Sequence, residues 1–257
     1  MQENTEKVWD IIIVGGGVAG LSAAHELSKS KQYKILVIER YEQLGGKLQS
    51  WHDTKSNLPY EHGYRFYMSF YQHLIAKLKE IGIWKNFRQV KPIPFLNKPK
   101  AIKNILQSII KHPLKNTQLF IKILQLISSD TSRYRNILPE EYFFDLQDLA
   151  LLKIVEEMIH YVWATDKYRN SLEIYREAIT RSLQNMRWWM APGPTHETVI
   201  VPWQDFLQKN GVEFLLQETI EKATEQGNIV ELHLKNKEKK LKTRTVVLAT
   251  TNVDAGL

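Results

Sequence analysis

DIIIVGGGVAGLSAAHELSKSKQYKILVIER, residues 10–40, decides the fold. It opens on Asp10-Ile11-Ile12-Ile13-Val14, a short β-branched run suited to a buried parallel strand. The run leads into Gly15-Gly16-Gly17-Val18-Ala19-Gly20, which fits G-x-G-x-x-G through Gly15, Gly17 and Gly20. A helix follows, its apolar side marked by Leu21, Ala24 and Leu27, and then a second strand, Lys34 to Ile38, ends at Glu39. Each position has a physical task. Gly15 allows a tight turn out of the strand, Gly17 lets a pyrophosphate approach the backbone, and Gly20 lets the helix lie close to the sheet. The helix N-terminus, Val18 and Ala19 included, offers unpaired N–H groups and partial positive charge to phosphates. Glu39 stands 19 residues beyond Gly20, placed to accept bonds from adenosine ribose hydroxyls. A lone glycine motif also occurs as a plain turn. Here strand, helix and distal acid all stand where a dinucleotide requires them.

Glu39 disfavours NADP, because a carboxylate repels a 2′-phosphate. The segment that follows separates NAD from FAD. Arg40 precedes Leu44-Gly45-Gly46-Lys47 and Ser50, giving R-x-x-x-x-G-G-K-x-x-S. In this respect the sequence resembles the flavoprotein superfamily of amine oxidases, phytoene desaturases and protoporphyrinogen oxidases, which commonly carry Arg where this chain has Lys47. The resemblance implies FAD as cofactor, with Arg40 in the binding set and Gly46 and Lys47 beside the diphosphate and ribityl chain. Glu61-His62-Gly63-Tyr64-Arg65-Phe66 resembles the segment that lies beside the isoalloxazine ring in desaturase-like members. Gly63 and Tyr64 are then expected at the ring, with Arg65 as a neighbour; a simple turn is the competing reading. Ile220 matches a position whose backbone meets the adenine. Val246 to Thr250 resembles a later strand of the Rossmann-type sheet, although Thr251 stands where glycine or proline is common. Family members also carry a C-terminal segment with further flavin contacts, so the chain is expected to be an N-terminal piece or one part of a split protein.

The 257 residues suffice for a substantial core. With no cysteine, disulfides, thiolate metal sites and cysteine nucleophiles are excluded. The eight histidines form neither H-x-x-x-H nor H-E-x-x-H, and there is no G-x-S-x-G, so no metal site and no serine nucleophile are expected. No catalytic side chain is assigned, since flavin chemistry needs few acid–base residues. The net charge of +7 is spread along the chain. The basic stretch Lys235–Lys242 reads as a solvated hairpin edge, and Trp188, Trp189 and Trp203 read as core or cavity lining rather than nucleic-acid contacts. No secretory signal is visible, and the run Ile11–Ala24 is too short to cross a bilayer. The expected address is cytoplasmic, with membrane association left open.

The expected architecture is α/β. Residues 1–70 and 197–257 form a Rossmann-type FAD/NAD(P)-binding domain; residues 71–196 form a largely helical substrate region. Within that insertion Ile105, Leu106, Ile109 and Ile110 recur at helical spacing, as do Leu119, Phe120, Ile123, Leu124 and Ile127, with Pro113 between the runs. Two readings compete: amphipathic helices packed on their own domain, or a basic apolar surface for a membrane or a lipid-like substrate. Leu146–Trp163 reads as core, and Pro192-Gly193-Pro194-Thr195 as a turn, with a loop bordering the substrate space, as in the relatives, the competing reading. The last region reads as a three-stranded meander over 218–224, 229–234 and 243–250, with Val246–Ala249 expected to be buried on both faces. The expected activity is FAD-dependent oxidation of an apolar isoprenoid or lipid-like substrate by hydride transfer. An amine oxidase, or a non-catalytic FAD-binding subunit completed by a C-terminal partner chain, is the alternative.

Overall fold

The computed structural model describes residues 7–61, 63, 65–90, 98–163, 170–183, 187–235 and 240–251. In chain order its elements are β1 (Val8–Val14), α1 (Val18–Ser28), β2 (Ile35–Ile38), β3 (Ser50–His52), β4 (Pro59–Glu61), β5 (Tyr67–Met68), α2 (Gln72–Glu80) and β6 (Arg88–Val90). Then come α3 (Lys98–Lys111), α4 (Pro113–Ser128), α5 (Pro139–Tyr142), α6 (Ala150–Trp163), α7 (Leu172–Leu183) and β7 (Trp188–Met190). The chain closes with α8 (Val201–Lys209), β8 (Val212–Leu215), β9 (Ile220–Gln226), β10 (Ile229–Leu234) and β11 (Lys240–Leu248). They divide into two compact units, Met1–Tyr67 with Tyr71–Gln89 and Trp189–Leu257, and Met68–Phe70 with Val90–Trp188.

The first unit is built on a six-stranded sheet of order β8-β2-β1-β11-β10-β9. The first four strands run parallel, while β10 and β9 are antiparallel. β-Branched β1 and β2 sit inside this sheet, so side chains alternate between two cores. Ile11, Ile13, Ile35 and Val37 face the helix side, where Leu21 and Ala24 of α1 and Trp203 and Leu207 of α8 pack. Trp9, Ile12, Leu36 and Ile38 face the other way, against Leu232, Leu234 and Leu241 of the meander. Gly227, at φ +61°, makes the tight turn from β9 to β10. The parallel strand β8, which extends the sheet beyond β2, has no distinct signature in the sequence.

Two expectations change. The run Val246–Ala249 is only partly buried: Val247 and Ala249 join the helix-side core and Val246 the meander-side core, but Leu248 is 62% exposed. The insertion is also shorter than 71–196, because residues 71–89 and 189–196 pack with the sheet unit. The reason is α2. Its Leu78 is fully buried in the helix-side core, and its Glu80 meets His25 of α1 at 2.8 Å. His25 is itself buried, and its Nδ1 accepts the indole N–H of Trp203 at 3.1 Å. Indole only donates, so Nδ1 is unprotonated and Nε2 carries the proton toward Glu80.

The second unit is helical with its own core, formed by Leu119 and Leu126 of α4, Leu152 and Ile159 of α6, and Leu172 and Tyr175 of α7. Pro113 opens α4 at a position whose N–H has no helical partner, which separates α3 from α4. Leu146 and Leu149 are buried as the core reading expects, although the regular helix begins only at Ala150. The expectation that α3 and α4 bury their apolar residues on their own unit holds for Leu119 and Leu126. It fails for Leu106, Ile110, Phe120 and Leu124, all of which are exposed.

Candidate dinucleotide site

The site is assembled at the carboxyl ends of β1 and β2. Gly15, at φ +109°, is wedged between neighbours: its N–H donates to the Ile38 carbonyl at 2.8 Å, and a Cβ would lie 2.7 Å from the Ala249 carbonyl oxygen. Only glycine fits there. A Cβ on Gly20 would sit 1.9 Å from the Gly15 carbonyl oxygen, so the first turn of α1 lies directly on the loop backbone. Gly17 differs. It caps α1 in an extended conformation, and a Cβ there would meet only the Gly46 Cα, at 3.9 Å. No side chain caps the helix and its first turn has no acid, which leaves the N–H groups of that turn without a side-chain acceptor. Val18 is half-buried against the core, while Ala19 is exposed.

Glu39 is buried and turned toward this loop. Its Oε2 accepts the Gly16 N–H at 2.7 Å and its Oε1 the Tyr41 N–H at 3.1 Å. Each carboxylate oxygen keeps a further lone pair for a ligand hydroxyl. The backbone of Glu39 is clamped by Leu215 and Glu218, which brings the start of β9, and with it Ile220, to the same end of the sheet. Ile220 sends its side chain into the meander-side core. Arg40 is exposed, its guanidinium over the Tyr41 ring at 4.9 Å.

The second glycine turn lies against the first. Gly45 N–H donates to the Gly16 carbonyl at 2.8 Å, Gly17 and Gly45 form a parallel bridge, and a Cβ on Gly46 would sit 3.1 Å from the Gly17 Cα. Both Gly45 and Gly46 have positive φ. Lys47 is exposed beyond them, and its carbonyl accepts Arg65 Nη2 at 2.7 Å. Arg65 also bonds the Gln49 carbonyl at 3.2 Å and pairs with Glu61 at 3.2 Å, while its Nη1 is buried with no hydrogen-bond partner among the described residues.

Arg65 and Glu61 belong to the wall of a cavity of about 580 Å³, which Pro59, Tyr60, Gly63, Met190, Ala191 and residues 193–195 complete. A Cβ on Gly63 would meet nothing within 4 Å. Tyr64 lies outside the described residues. The turn at Gly193-Pro194-Thr195 is therefore a cavity wall, held by the Thr195 N–H on Glu61 at 2.6 Å and the His196 N–H on Ser50 at 2.8 Å. Burial pushes the Tyr67 phenol, near Thr195 and Arg65, up to about 12 and lowers the His196 imidazole, so both stay neutral near pH 7. Of this wall, sequence reading finds only the two glycine segments and Ser50. The Glu61–Thr195 and Ser50–His196 contacts join residues more than 130 positions apart, and no local pattern signals them.

Residues 13–81 match the family model described as NAD(P)-binding Rossmann-like domain. Over 99 residues the chain is 32% identical to a 15-cis-phytoene desaturase of Narcissus pseudonarcissus, a match covering 37% of this chain and 17% of that protein. Among solved structures, a putative protoporphyrinogen oxidase from Exiguobacterium sp. 255-15 superposes with a TM-score of 0.64 at 17% identity, covering 97% of this chain and 61% of that one. Cyclohexylamine oxidase from Brevibacterium oxydans IH-35A does so with a TM-score of 0.61 at 17% identity, over 97% of this chain and 59% of that one. The chain thus spans about three-fifths of the solved chains that share its fold.

Proposed function

We propose that this chain is a member of the FAD-dependent amine oxidase and desaturase superfamily and that its paired glycine turns hold the diphosphate of FAD. The observation that carries this reading is the fusion of the two turns through the Gly45–Gly16 hydrogen bond, with a Gly17 whose missing side chain would touch only the Gly46 Cα and an uncapped helix behind it. The α1 N-terminus and the Gly17–Gly20 backbone would take the phosphates, and Glu39 the ribose hydroxyls. Gly46, Lys47 and Arg40 would follow the cofactor outward, and the backbone near Ile220 the adenine. A nicotinamide dinucleotide has no need of the second turn. Gly63 would flank the flavin ring at the cavity, where Arg65 Nη1 is buried without a hydrogen-bond partner among the described residues.

When bound, FAD supplies a hydride acceptor at ring N5. The chain supplies position and a mostly apolar wall. Pro59, Tyr60, Met190, Ala191 and Pro194 present apolar surface, and Arg65 ties the Lys47–Gln49 backbone to that wall. This lining supports an apolar, desaturase-like substrate. The cavity's carboxylate, Glu61, is already engaged by Arg65 and the Thr195 N–H, which makes it a poor ammonium receptor and ranks an amine second. The test is titration of the purified chain with FAD, followed by flavin fluorescence. Binding that ADP displaces, that NADP does not match and that Glu39→Gln weakens is expected. Absence of FAD binding, or equal binding of NADP, refutes the reading. With FAD bound, bleaching by an apolar polyene supports desaturation, peroxide release from amines would replace it, and neither would leave a non-catalytic FAD-binding unit.

A further inference from the structure

Arg65 stands in the cavity wall, yet its hydrogen bonds run toward the cofactor side. Nη2 donates to the Lys47 carbonyl at 2.7 Å and the Gln49 carbonyl at 3.2 Å, and Nε pairs with Glu61 at 3.2 Å. Glu61 in turn accepts the Thr195 N–H at 2.6 Å. One guanidinium and one carboxylate thus connect the backbone that follows the second glycine turn to the turn at 193–195. Two further contacts run in parallel: Ser50 accepts the His196 N–H at 2.8 Å, and a Cβ on Gly45 would lie 3.1 Å from Ile200 Cγ1. His196–Ile200 form a single π-helical turn leading into α8, an irregularity often found at functional sites. Packing alone does not account for an arginine here. Its side chain is only 15% exposed, and its Nη1 is buried without a hydrogen-bond partner among the described residues, a penalty that an apolar side chain of similar length would avoid. The position uses the planar fork, which meets two carbonyls and a carboxylate at once, where an ammonium offers a single point.

We propose that Arg65 is a positioning residue that keeps the cofactor turn, Gly45–Lys47, in register with the cavity wall formed by Glu61 and residues 193–195. The proposal rests on the FAD reading for the ligand whose position is set. In this role Arg65 acts through the backbone of Lys47 and Gln49 on one side and through Glu61 and Thr195 on the other. A turn that slid along the wall would carry the flavin ring with it, and a small displacement of a reacting centre is costly. Bracing the turn before the cofactor arrives also spares the ordering that binding would otherwise demand.

Hydrogen exchange on the whole chain without FAD decides the register itself. Arg65→Ala is expected to speed exchange at the Leu48 and Gln49 amides, and across the ion pair at Thr195, by roughly tenfold, with the β1 and β2 amides unchanged. Arg65→Lys, which keeps the charge but not the fork, is expected to do the same and guards against a truncation that fails to fold. Faster exchange confined to Leu48 and Gln49, or wild-type rates throughout, would overturn the proposal. With FAD, titration is expected to show Arg65→Ala weakened roughly tenfold, with altered visible dichroism of the flavin, and both restored by millimolar guanidinium that leaves the wild type unmoved. Unaltered dichroism, or a loss that guanidinium does not restore, would reduce Arg65 to a structural residue and overturn the proposal. A wild type that binds no FAD sinks the FAD reading instead, and the exchange result then decides by itself whether Arg65 joins the two segments.

Discussion

Gly17 and Gly20 belong to one motif but answer to different forces. Gly20 has protein backbone where its Cβ would be, and Gly17 has almost nothing. Gly20→Ala must push α1 away from the Gly15 carbonyl, an overpacking cost of about 1–3 kcal/mol or more. Gly17→Ala fits the fold at an extended φ that any residue adopts, and blocks only an approaching ligand. Thermal melts should therefore show Gly20→Ala clearly destabilised and Gly17→Ala near wild type, while FAD titration shows Gly17→Ala weakened by roughly tenfold or more. A stable Gly17→Ala variant with unaltered FAD binding would remove the phosphate from this loop. Glu39 is legible by its distance from Gly20. That it also holds the Gly16 N–H is not, because the contact depends on how β2 ends relative to the loop.

At the scale of elements, α1 is gripped by α2 through charge. Glu26 pairs with Lys77 and Lys29, and Glu80 with His25 and Lys29. The Lys77 hydrogen bond foremost holds the Glu26 carboxyl at about 2, below its ordinary 4.5, and the His25 hydrogen bond foremost lowers Glu80. Carboxyls depressed by folding stabilise the chain above their unfolded pKa, and that stabilisation is lost as pH falls through the folded values. The melting temperature should therefore drop between pH 4.5 and about 2. Glu26→Gln with Glu80→Gln should flatten part of that drop and cost about 1–3 °C at pH 7, the scale of solvent-screened pairs. Melting curves across that pH range in which the double variant keeps the full drop would show the pairs to be inert. The expected reach of the helical insertion, 71–196, missed this grip. Residues 71–89 read as helix in either unit, and only the partner of Leu78 and Glu80 tells which.

Over the whole molecule, two units divide the labour. The sheet unit carries both glycine turns and the cavity; the helical unit carries the exposed apolar residues of α3 and α4. Hydrogen exchange should accordingly show FAD slowing amides at residues 15–20 and 45–47, with α4 and α7 unchanged. Protection appearing first in α4 would move the binding site to the helical unit. The βαβ start, its acid and the second glycine turn were determined by sequence alone, because their physics is local. Strand period, glycine conformation and a fixed helical offset are written in consecutive residues. Only the tertiary structure decided that the two turns fuse, that Arg65, Glu61 and Thr195 share one cavity wall, and that the apolar side of α3 faces outward. Those outcomes depend on contacts between residues far apart in the chain, and an amphipathic pattern records that a face is apolar without recording what will cover it.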